Sequence, residues 1–107
     1  MILYGIPTCD TCRKARAALE AAGHAVQVRD VRAEPLSPAE TARFLEAFGE
    51  KLVNRSSTTW RGLSEAARAE APAALLAAHP ALMKRPVLVE GEKATLGWDK
   101  AAQAAWL

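Results

Sequence analysis

The segment Cys9-Asp10-Thr11-Cys12 holds the only two cysteines of the chain, at the point where an apolar run gives way to a helical pattern. A thiol reacts as its thiolate, and a helix N-terminus favours that anion through the positive end of the dipole and unpaired backbone N–H groups. Cys9 opens the helix with Arg13 about one turn away, so it is the expected nucleophile. Cys12 is the candidate resolving thiol, able to attack a mixed disulfide on Cys9 from within the same turn. Two other readings stay open. Two thiolates two residues apart could supply half of a tetrahedral zinc site, but there is no second cysteine pair and His24 and His79 are far apart, so no metal is expected. The pair could also be two small buried side chains, a reading with most weight at Cys12.

The elements that must position these thiols follow from local pattern. Ile2-Leu3-Tyr4 reads as a buried strand ending at Gly5, after which Pro7 forces an extended turn. Cys12, Ala15, Leu19 and Ala22 recur at spacings of three and four, which predicts a helix with one apolar stripe up to Gly23. Val26 and Val28 alternate with polar neighbours in a second strand, completing a βαβ unit. Ser37-Pro38-Ala39-Glu40 carries a cap, a first-turn proline and a capping box, and Phe44, Leu45 and Phe48 form the inward stripe of the helix it starts. Further helix is expected from about Ser64 to Ala78, broken or restarted near Pro72. Pro86 to Glu90 and Lys93 to Trp98 read as the arms of a hairpin turning at Gly91-Glu92, and Asp99 can cap a last helix. The expectation is one α/β domain over 1–107, a mixed β-sheet flanked by helices, with a helical insertion at about 37–80 between the βαβ unit and the C-terminal β-hairpin.

Composition narrows the function classes. A chain of 107 residues can bury a core unaided, so a disulfide scaffold is not needed and a monomer is expected. The N-terminus lacks the basic, apolar and cleavage regions of a signal peptide, and no run is long enough to span a bilayer, so a cytoplasmic protein with no membrane partner is expected. In that reducing setting CxxC reads as chemistry. A net charge of +2, with basic residues scattered among acidic ones, points to no nucleic-acid partner.

Three segments resemble one family in order and spacing. Tyr4-Gly5-Ile6-Pro7-Thr8-Cys9-Asp10-Thr11-Cys12-Arg13-Lys14-Ala15 is similar to the N-terminal motif of the ArsC/Spx/YffB family, the glutaredoxin-like arsenate reductases and their relatives. Asn54-Arg55-Ser56-Ser57-Thr58-Thr59-Trp60-Arg61 resembles its central polar segment in the YffB form. Met83-Lys84-Arg85-Pro86-Val87 resembles its Arg-Pro motif, and the match extends to Leu96-Gly97-Trp98.

The resemblance implies a thioredoxin-like fold in which Pro86 is cis and lies beside the reactive cysteine. It also implies a thiol-dependent oxidoreductase: Cys9 attacks arsenate or a glutathionylated disulfide, and glutathione, with glutaredoxin, completes the reduction. Glutathione is then a co-substrate, and no bound cofactor is expected. Rigid guanidinium forks would hold an anionic substrate against the thiolate. Arg85 matches one such arginine; Asn54 stands where arsenate reductases place another, with Arg55 beside it, and Gly97 stands where they place a third. The arsenate site is thus incomplete. Arg13 and Pro86 complete the expected anion-binding set. The Ser56 to Thr59 run could line that site or simply cap a helix near Trp60, and Trp60 and Trp98 are expected to pack. The competing class is an Spx-like redox-sensing regulator that binds RNA polymerase and uses CxxC as its switch.

Overall fold

The computed structural model describes residues 1–107. Its contacts group the chain into two units, one made of Met1–Val31 with Arg85–Leu107, the other of Arg32–Lys84. The first unit holds the whole sheet. Strands β1 (Ile2–Gly5), β2 (Gln27–Asp30), β3 (Val87–Glu90) and β4 (Lys93–Leu96) lie in the order β2-β1-β3-β4. β1 runs parallel to β2 and antiparallel to β3, and β3 and β4 form the hairpin. With helices α1 (Asp10–Ala21) and α6 (Lys100–Trp106), this is the mixed sheet with helices expected from sequence.

Register decides which residues meet. Leu3 stands opposite Leu88 across the β1–β3 pair, and both join Cys12, Ala15 and Leu19 of α1 and Trp106 of α6 in one buried cluster. Each fully buried leucine contributes about 1.5–3 kcal/mol. The α1 stripe ends sooner than its spacing suggests: Ala22 is exposed, because it already stands at the C-cap, where its N–H returns to Ala18 and Leu19 and the chain leaves through Gly23. At the far end Asp99 caps α6 by accepting from the Ala102 N–H at 2.9 Å. The last carbonyls of α6 are held by side chains, His24 Nε2 at 2.8 Å from the Trp106 oxygen and Lys93 Nζ on that of Ala105.

The second unit is helical. α2 (Pro38–Phe48) starts on the expected reciprocal capping box, with Ser37 Oγ accepting from the Glu40 N–H at 3.1 Å and Glu40 Oε1 from the Ser37 N–H at 2.9 Å. The helix expected from about Ser64 to Ala78 with a restart near Pro72 is present as α4 (Glu65–Arg68) and α5 (Pro72–Ala78), and a further short helix, α3 (Thr58–Arg61), precedes it. Ser57 and Ser64 each cap a new helix, and Pro72 opens the next, so the chain restarts three times. α2 packs against α5, and Phe44, Leu75 and Leu76 are buried. Lys84 N–H reaches the Leu52 carbonyl and Asn54 N–H that of Leu82, both at 2.7 Å, pinning residues 82–84 to residues 52–54 in the middle of the unit. No helix of the structure is long and apolar enough to cross a membrane.

Candidate functional site

Cys9 occupies the N-cap of α1. Its backbone is extended (φ −80°, ψ 120°), its N–H donates to the Ile6 carbonyl at 3.0 Å, and its own carbonyl takes the first helical bond from Arg13 N–H at 3.1 Å. Gly5 ends β1 and Pro7 lies in the turn that follows, so a four-residue connection carries the chain from strand to helix and leaves Cys9 half-buried at the helix mouth. Cys12 lies one turn further on the inner face and is buried. Both thiols are free.

The two sulfurs sit in opposite electrostatic settings. Burial works against a charge on Cys9, but it is outweighed by the Cys12 N–H, the Cys12 thiol, the Arg85 guanidinium and the Thr11 N–H, so the Cys9 pKa lies below its ordinary 9.0. The Cys9 side chain makes no capping bond of normal geometry, which leaves these first-turn donors available to its anion. For Cys12, burial pushes the thiol up. The Ile6 N–H and Arg85 pull the other way, while hydrogen bonding to Cys9 and repulsion from its charge add to burial, leaving Cys12 at about 11.

Arg85 and Pro86 stand immediately before β3, joined by a cis peptide bond, as the resemblance implies for that proline. Pro86 is buried, and its carbonyl accepts from the Gly97 N–H at 2.8 Å. Gly97 is itself buried, with φ +79°, a backbone that L side chains rarely adopt. Arg13 is exposed: its Nε donates to the Pro7 carbonyl at 3.0 Å and its Nη1 lies 3.7 Å from Asp10 Oδ1. The cation acting on both thiols is Arg85. Arg13 and Cys12 border a cavity of about 460 Å³ together with Leu3, Ile6, Val28 and Asp30.

Asn54 and Arg55 belong to the second unit. Asn54 Oδ1 accepts from the Ser56 N–H at 3.0 Å and the Asn54 carbonyl accepts from Ser57 Oγ at 2.8 Å, so this residue builds the turn that leads into α3. Arg55 is exposed with its guanidinium 5.2 Å from the Trp60 ring centroid, and Arg68 lies 5.5 Å from the same ring while donating to the Trp60 and Arg61 carbonyls. The Ser56 to Thr59 run acts here as a helix cap, with Ser57 Oγ accepting from the Trp60 N–H.

A model of the ArsC family matches residues 4–105. The chain belongs to the ArsC family. This ArsC-family chain is 36% identical to an uncharacterised protein of Haemophilus influenzae, over 97% of the chain and 96% of that protein. Among solved structures it is similar to a YffB protein, with a TM-score of 0.88 at 36% identity over 99% of this chain and 97% of that one. It is also similar to an arsenate reductase-related protein from Brucella melitensis, with a TM-score of 0.74 at 38% identity over 98% and 92%. The global transcriptional regulator Spx of Listeria innocua is 28% identical over 92% of this chain and 79% of that protein.

The first-turn N–H groups beside Cys9 are those the sequence pattern points to, but two groups of the ArsC-family thiol pair are not evident from it: the Ile6 N–H and the missing side chain of Gly5. Only Gly5 carried a signal, a glycine at a strand end, where close approach by a neighbouring group is one standing explanation.

Proposed function

We propose that the protein is a thiol-dependent oxidoreductase of the arsenate reductase-like kind. Cys9 is its nucleophile, glutathione with glutaredoxin is its reductant, and its substrate is arsenate or a glutathionylated disulfide. The observation that carries this reading is the setting of Cys9 at the mouth of α1, where first-turn N–H groups and Arg85 favour its thiolate. On a glutathionylated substrate the Cys9 thiolate attacks the glutathione sulfur and the substrate thiol departs. A second thiol, glutathione or Cys12, then attacks the mixed disulfide and regenerates Cys9. On arsenate, attack by sulfur with loss of water gives a thiol ester of arsenic(V). Glutathione then attacks its sulfur, releasing arsenite and leaving the two electrons' worth of oxidation in a Cys9–glutathione disulfide.

The disulfide substrate has the stronger support. Arg85 is the guanidinium that favours both thiolates, and Gly97 has a positive φ where arsenate reductases carry a further arginine. A second reading, a redox-sensing regulator that binds RNA polymerase as a switch, is favoured by the CxxC pair together with the similarity to Spx. Turnover assays with glutathione and glutaredoxin, run on arsenate and on a glutathionylated peptide, separate them. Deglutathionylation that vanishes in Cys9→Ser supports the enzyme. No turnover on either substrate, with stable binding of purified RNA polymerase, supports the regulator.

A further inference from the structure

Gly5 is buried at the end of β1, yet its φ is not among the positive ones found at Gly23, Gly49, Gly91 and Gly97. Its backbone therefore does not demand glycine. Space does: a Cβ built at Gly5 would stand 2.5 Å from Cys12 Sγ and 3.1 Å from Leu3 Cδ2. The first distance is far inside contact, so the cysteine and a side chain at position 5 exclude one another. The N–H of the next residue, Ile6, also favours the Cys12 thiolate, though less than burial opposes it. Cys12 cannot move aside freely, because it is buried on a helix, where the rotamer turned into the preceding turn is disfavoured.

We propose that Gly5 is a positioning residue for the thiol pair: by carrying no side chain it opens the seat against its own backbone that Cys12 Sγ occupies, and so enables Cys12 to resolve a mixed disulfide on Cys9. The role rests on the reading of Cys9 as the thiol that takes up glutathione. In the resolving step Cys12 gives up its proton to solvent and its thiolate attacks Cys9 Sγ. A Cys9–Cys12 disulfide forms, the bond from Cys9 to glutathione breaks, and glutathione leaves as a thiolate that is then protonated. One disulfide replaces another, and glutathione disulfide supplies the oxidation when the adduct is first made. Seated against Gly5, the Cys12 sulfur stands where attack begins; a methyl group at position 5 would displace it from there.

The test uses the whole chain, loaded with excess glutathione disulfide, freed of reagent and followed by mass spectrometry. In the wild type the adduct gives way to the internal disulfide. In Gly5→Ala the adduct persists about ten-fold longer or more, since misplacing a reacting group by about an ångström has effects of that order. Stability supplies the second readout: Gly5→Ala lowers the urea midpoint in the wild-type background, and most of that loss disappears in Cys12→Ala, where the clashing sulfur is gone. A wild-type adduct that never resolves, a Gly5→Ala adduct that resolves as fast as wild type, or a stability loss unchanged by Cys12→Ala overturns the proposal. Failure of the underlying reading shows elsewhere, as a rate of adduct formation on Cys9 no faster than that of an unfolded cysteine. The excess reagent still makes the adduct in that case, so Gly5 is judged on its own.

Discussion

The outer edge and the inner face of the first turn of α1 carry the same side chain, three residues apart, in contrary conditions. At the edge, Cys9 lies half-buried among N–H groups that have no helical acceptor, with the Arg85 guanidinium adding its charge, and its thiolate is favoured. On the inner face, Cys12 is packed with Leu3, Ala15, Leu19 and Leu88, and its proton is held to about pH 11. Arg85 acts on both sulfurs and so does not separate them. What separates them is burial together with the order in which the pair ionises: once Cys9 is an anion, its charge and its hydrogen bond both retain the proton of Cys12. CxxC spacing alone cannot show this asymmetry.

The largest effect that could break the comparison is expected from Cys9→Ser, which should lower deglutathionylation by at least about 10³-fold, because the nucleophile's own chemistry is removed. Cys12→Ser should still accumulate the Cys9–glutathione adduct, visible as an intact mass. Equal losses in the two variants would erase the distinction between edge and face. Next in size is Arg85→Ala. Losing its charge should raise both pKa values and slow alkylation of Cys9 at neutral pH by roughly ten-fold, as thiolate fraction governs the rate. An unchanged pH–rate profile would remove Arg85 from the site.

The pH dependence of stability should carry both signs. Cys9, depressed below 9.0 in the folded chain, contributes stability above that value which is lost as the pH falls through its folded pKa. Cys12, raised from 9.0 to about 11, contributes stability that is full below 9.0 and lost as the pH rises through about 11. Urea midpoints measured across this range should therefore decline on the alkaline side in the wild type and decline less in Cys12→Ala. The smallest effect sharpens the comparison from outside. Ser37→Ala, which breaks the capping box of α2, should cost about 1 kcal/mol of stability. It should leave ultraviolet titration of the thiolate where it was.

Much of this arrangement was legible in the sequence where the cause is local. The Ser37 box, the Asp99 cap, the hairpin around Gly91 and the apolar spacing of Cys12, Ala15 and Leu19 are short-range patterns, and each reappears in the structure. The start at Ser64 and the restart at Pro72 were legible too, but the short α3 was not, because the serine–threonine run before Trp60 reads equally well as a loop until Ser57 is seen to cap it. The seat of Cys12 was hidden for another reason. It depends on β1 and α1 meeting at close range, and no single segment encodes how near the Gly5 backbone comes to a sulfur seven residues later. Arg85 reached the candidate list only through family resemblance, since a basic residue before a strand looks like any solvated charge.

The cluster that buries Cys12 also holds Trp106, and Trp98 packs against it together with Cys9. Two indoles therefore share their surroundings with the reactive sulfurs, while Trp60 sits in the other unit beside Arg55 and Arg68. The molecule contains its own optical probe. Emission from Trp98 and Trp106 should shift when a disulfide forms beside them, so the redox state of the thiol pair can be followed in real time without any label.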